Sequence, residues 1–138
     1  MKKDGFVVAT FLGLLLVHAV EPAYAQAIKV EIPFDFVAAK ATLPAGEYRV
    51  DPNQPTQGML RLVSSKGSAA ICFTQGIESA QPSNSTKLVF NRYGNHYFLS
   101  QVWSVGNNLG RVLPPSQAER EIARSFSKPE KEILTASK

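Results

Sequence analysis

Cysteine is almost missing from this 138-residue chain. Cys72 stands alone, so no disulfide can close within one copy and the core must come from packing. Histidine is nearly as scarce: His18 falls in an apolar N-terminal stretch, leaving His96 as the one imidazole beyond it. One histidine and one cysteine are too few for a zinc site of the usual composition. A phosphate-cradling glycine loop, an HExxH pair and an EF-hand loop are all lacking. Carboxylates are scattered, and Glu31 and Asp35, though on one face, lie about 13 Å apart along a strand, too far for glycosidase geometry. We therefore expect no metal, no cofactor and no enzyme activity. The one nucleophile and base left to pair are Cys72 and His96, the basis of a distant third reading as a hydrolase.

A hydrophobic run long enough to cross a bilayer is also missing. The longest, from Gly5 to Val20, has 16 residues, short of the roughly 20 a spanning helix needs. Lys2 and Lys3 precede it and Ala23-Tyr24-Ala25 follows, which is the layout of a cleaved signal peptide over residues 1–25. Cys72 is too distant to carry a lipid at the new N-terminus. The expected product is exported, periplasmic or extracellular, with no transmembrane segment after cleavage. It begins at Gln26 and spans 113 residues at a net charge of +4, a size for one domain. An exported chain has little occasion to meet nucleic acid, and so mild a basic excess favours anionic surfaces only weakly.

What is present is strand pattern. Residues 28–36 alternate strictly, with Ile28, Val30, Ile32, Phe34 and Phe36 on one face, as a half-buried strand does. Pro33 places that strand at an edge or turns the position away from a neighbour. Leu43-Pro44-Ala45-Gly46 reads as a turn into a short strand with Tyr48 and Val50 on one face, and the Pro-rich segment 51–58 reads as a loop. Met59 to Val63 and Ala69 to Thr74 flank a five-residue, glycine-containing loop, as in a hairpin. The second of these strands alternates apolar residues on both faces, so burial on both sides is expected. Residues 75–86 are polar; Asn84-Ser85-Thr86 matches a glycosylation acceptor pattern and reads more simply as surface loop.

Thr86 to Tyr93 and His96 to Trp103 give the strongest hairpin, with Gly94-Asn95 as its two-residue turn. Counting outward from the turn pairs Leu88 with Gln101 and puts Leu88, Phe90, Leu99 and Trp103 on one core face. Val89, Asn91, Phe98, Ser100 and Val102 take the opposite face, either solvated or covered by the C-terminal segment. Pro114-Pro115 stops any strand, and Ser116 to Glu119 fits a capping box opening a helix to about Phe126, its stripe formed by Ala118, Ile122 and Phe126. The whole reads as an all-β sandwich or barrel of six or seven antiparallel strands with one C-terminal helix. The domain spans 26–127 and a flexible tail 128–138.

The segments 33–37, 43–48, 87–94 and 97–103, with Leu113-Pro114 and 118–121, resemble a group of small, uncharacterised exported bacterial proteins with no established activity. The pattern there usually has a glycine in the first turn, where this chain has Ala38-Ala39-Lys40. The resemblance implies an exported β-domain and supplies no site residues. The function expected is non-catalytic, binding or structural, in the cell envelope, with Arg92, Tyr93, His96 and Tyr97 at the hairpin end as candidate contact surface. The alternative is a small β-barrel carrier of an apolar ligand, so the expected partner is an envelope component or an apolar small molecule.

Overall fold

A computed structural model describes residues 27–51 and 58–136; the segment 1–25, expected to be a signal peptide, and most of the Pro-rich loop lie outside the described residues. Two sheets face each other and do not close into a barrel, which makes the fold a sandwich. The first has the order β1 (Ile28–Ile32), β4 (Gly46–Asp51), β5 (Met59–Ser64), β6 (Ala69–Phe73), all antiparallel. The second runs β11 (Glu130–Thr135), β8 (Lys87–Tyr93), β9 (His96–Trp103), β10 (Leu109–Val112), β7 (Gln75–Glu78). The small hairpin of β2 (Phe36–Ala38) and β3 (Ala41–Leu43) joins β9 through one parallel pairing, Val37 with Phe98.

The strand count exceeds the six or seven expected because alternation does not reveal where a strand changes sheets. The 28–36 run splits at Pro33, which cannot donate to a ladder: β1 stays in the first sheet and β2 enters the second. All five apolar residues still turn toward the core, Phe34 only half-buried. The Asp35 carboxylate accepts from the Ala45 N–H at 2.8 Å, tying this corner to the turn before β4. The chain returns to the first sheet between β3 and β4, and a third crossing lies at Thr74, from β6 into β7, where it converts the start of the polar 75–86 loop into a strand.

Three further expectations are corrected. Ser100 forms a bulge, since Phe90 pairs with Leu99 but Val89 with Gln101. That extra residue reverses the inward parity beyond it, so Val102 enters the core and Trp103 turns to the other face. β6 is buried on one side only: Ala70 and Cys72 point inward, while Ile71 and Phe73 are 60% and 76% exposed. The tail expected to fray instead forms β11, antiparallel to β8, with Leu134 packed against the core. Pro114-Pro115 ends β10, a strand whose short Leu-Gly-Arg-Val sequence carries little pattern of its own.

The inner faces meet in one contiguous apolar cluster that includes Ile32, Phe36, Tyr48, Val50, Leu60, Leu62, Leu88 and Phe90, each at most 1% exposed. Edge-to-face rings tie the sheets, Phe36 lying 5.2 Å from Tyr48 and 5.5 Å from Phe90 between centroids. The outer face of β8 and β9 is closed by α1 (Gln117–Ala123) and the turns that carry the chain on to Phe126.

Candidate functional site

The four hairpin-end residues do not form one surface. Tyr93 pairs with His96 and Arg92 with Tyr97, and successive residues of a strand face opposite ways, so the quartet divides across the sheet. Tyr97 stacks on Phe34 at 3.8 Å between centroids and 12° between planes. The Arg92 guanidinium lies 5.4 Å from the same ring's centroid, while its Nε donates to the Gly94 carbonyl at 2.8 Å. Tyr97 is thus engaged by two partners within the chain. On the opposite side Tyr93 is buried and His96 exposed.

Tyr93 belongs to a polar cluster beneath the helix that no local sequence pattern announces. Ser116 caps α1 by accepting from the Glu119 N–H at 3.1 Å, half of a capping box. The Glu119 side chain does not complete the box. It turns into the sheet, is 5% exposed, and accepts from Asn91 Nδ2 at 2.7 Å and the Tyr93 hydroxyl at 3.2 Å. Lys131 of β11 donates to Asn91 Oδ1. The helix therefore docks through Glu119 and the half-buried Ile122, while Ala118, expected to lead the apolar stripe, is exposed. Phe126 is 41% exposed and meets Tyr93 edge-on at 5.8 Å. Burial, and next the Glu119 charge, push the Tyr93 hydroxyl above its ordinary pKa of 10. The group holds its proton and its helix; every polar atom named in it has a partner inside the fold.

Cys72 is fully buried among apolar neighbours of the first sheet, and burial pushes its thiol up to about 11. That is the reverse of an activated nucleophile, which needs a depressed pKa. Among the described residues no group of three or more His, Cys, Asp or Glu side chains could hold a metal ion, and no helix is long and apolar enough to cross a membrane.

Concave surface lies elsewhere, around the segment 79–86. One groove of about 390 Å³ is lined by Ser79, Gln81, Ser83, Asn84, Lys87 and Trp103, among others. Trp103 can form its wall because its cross-strand partner is Gly110, where a Cβ would come within 2.7 Å of the indole. The ring is further fixed by Nε1 donating to Gln101 Oε1 at 2.9 Å. A second, larger groove of about 760 Å³ is bounded by Ala27, Ile28, Lys29, Thr86, Val105 and Ala136, among others. Asn84 and Ser85 line both. Their loop is held by backbone bonds to the β9–β10 turn, Ser83 N–H to Asn107 O at 3.0 Å and Gly106 N–H to Ser83 O at 2.9 Å, and by the Val105 N–H donating to Thr86 Oγ1 at 3.0 Å. Asn84-Ser85-Thr86, legible in the sequence only as an acceptor pattern on a surface loop, is the wall between two grooves. No protein family, no curated protein and no solved structure is found to match this chain.

Proposed function

We propose that this chain is a non-catalytic, exported β-sandwich that binds a component of the cell envelope, and that the ligand sits in the paired grooves divided by Asn84 and Ser85. The carrying observation is the lining of the smaller groove: hydroxyls, side-chain amides, one ammonium and an indole edge converge on a volume of about 390 Å³, within the range of small-ligand sites. Such a set suits a hydroxyl-rich or anionic headgroup. The resemblance to small exported bacterial proteins and the N-terminal signal pattern support the compartment. The buried, proton-holding Cys72 and the internally satisfied Glu119 cluster supply no reactive centre.

The test is co-sedimentation of the protein with washed envelopes, isolated peptidoglycan and glycolipid vesicles. Binding should saturate, and Lys87→Gln or Asn84→Ala should weaken it about tenfold, the worth of one lost hydrogen bond to a charged or buried group. Binding unchanged by both substitutions would overturn the site assignment. A second reading, the carrier of an apolar ligand, has its own motive in the larger groove with Ile28, Val105 and Ala136 on its walls. The sandwich core is occupied by side chains, so an acyl ligand would lie in that open groove. Displacement of a fluorescent fatty acid, abolished by Val105→Asp, is its expected signature.

A further inference from the structure

One edge of the first sheet is β6, paired on one side with β5 and, among the described residues, with no strand on the other. The bonds at its two ends fix which backbone groups face which way. Ser64 N–H donates to Ser68 O and Thr74 N–H to Gly58 O, so the even-numbered positions bond inward to β5. By the alternation of an antiparallel ladder, the N–H and C=O groups of Ala69, Ile71 and Phe73 point out from the edge. Their side chains share the outer face, where Ile71 is 60% and Phe73 76% exposed.

Natural edge strands are ordinarily guarded by charge, proline, a bulge or a cover. Among the described residues β6 has none of these: its sequence is Ala-Ala-Ile-Cys-Phe and its ladder to β5 is regular. We propose that β6 is a homodimer edge, pairing antiparallel with β6 of a second copy about a two-fold axis at Ile71. This goes beyond the groove binding proposed above and does not depend on it.

The strand is its own complement in that register. Ile71 faces Ile71 and Phe73 faces Ala69, and these are the positions whose backbone groups point outward, so every outward N–H and C=O finds a mate. Each large Phe73 ring lies over a small Ala69, so the bulky side chains of the two copies do not crowd one another. Charge does not oppose it. The outer row Asp51, Arg61, Ile71 would run on into its two-fold mate, and the two Arg61 side chains would stand three strand spacings apart, about 14 Å, beyond the screening length at physiological salt. The native thiols would not join: Cys72 faces Ala70 of the other copy, and the two sulfurs lie on a diagonal of about 7–8 Å between backbones, on the inner side.

Sedimentation equilibrium on the purified chain should show a concentration-dependent dimer, and Ile71→Lys should weaken it at least about tenfold by opposing like charges on the axis. Ile71 is exposed, so the variant should keep the parent circular dichroism. Register is tested by cysteine placement under oxidation. Ile71→Cys should give a disulfide dimer on non-reducing electrophoresis, since directly opposed backbones are about 5.5 Å apart. Phe73→Cys should not, its symmetry mate being four residues away, about 13 Å. A dimer indifferent to Ile71→Lys, or equal cross-linking by both cysteine variants, would overturn the register. A chain that stays monomeric at high concentration, with the amides of Ala69, Ile71 and Phe73 exchanging freely, would overturn the dimer and leave the edge to a strand from a different protein.

Discussion

Ala39 holds a φ of 54° in the turn between β2 and β3, a left-handed backbone that a residue with a Cβ adopts at a cost of about 1–2 kcal/mol. Glycine avoids that cost but loses more freedom on folding. Ala39→Gly should therefore stabilise the protein by about 0.5–1 kcal/mol, seen as a higher urea midpoint at unchanged slope. Glu119 is the opposite case, a polar residue whose removal strands others. Glu119→Ala leaves the Asn91 amide and the buried Tyr93 hydroxyl without their acceptor, at about 2 kcal/mol, and Glu119→Gln, which keeps an acceptor oxygen, should cost clearly less by the same measurement. Tyr93 and Tyr48 both have hydroxyl pKa values raised chiefly by burial. Folding thus favours their protonated forms: the contribution is complete below the ordinary value near 10 and is lost as pH climbs past it, because the unfolded chain gives up its protons first. Stability measured in urea should fall above about pH 10, and Tyr93→Phe should flatten that fall.

At the scale of elements, legibility followed how local each cause was. The β8–β9 turn could be placed from Gly94-Asn95 alone, and the pairing of Phe90 with Leu99 could be counted from it. The bulge at Ser100 could not, because nothing in Leu99-Ser100-Gln101 marks which residue the partner strand will skip; with it went the side of the sheet on which Trp103 falls. Ser116 marks the helix start, yet the buried face is not legible there, since a glutamate looks exposed until Asn91 and Tyr93 are brought under it from 28 and 26 residues away. β11 was hidden for a related reason: Glu130-Lys131-Glu132 looks solvated, and only the exposed edge of β8 makes a strand of it. Leu134→Ala tests this element. A docked, half-buried leucine should cost about 1–2 kcal/mol, whereas a frayed tail would lose nothing on urea unfolding.

For the molecule as a whole, the three sheet crossings, at Pro33, at Pro44-Ala45 and at Thr74, mean that neither sheet is a continuous piece of chain, so they should lose structure together. Cys72 can report on this. Its thiol is fully buried and shifted to about 11, which leaves roughly one part in a thousand as reactive thiolate at pH 8. Alkylation of the native protein should be slow and should accelerate with urea in step with the loss of far-UV circular dichroism. A native rate like that of free cysteine would mean that the first sheet opens alone. The grooves, by contrast, had no sequence signature, because their walls come from β1, the 79–86 loop, the β9–β10 turn and the end of β11 at once.

Ala27 and Ala136, the first and last described residues, both line the larger groove. The two ends are therefore neighbours at its mouth, not at opposite poles. A tether, tag or fused domain at either end would stand as a gatepost to that groove, setting what size of visitor can approach it, and a short peptide bridging the ends would turn the entrance into a ring.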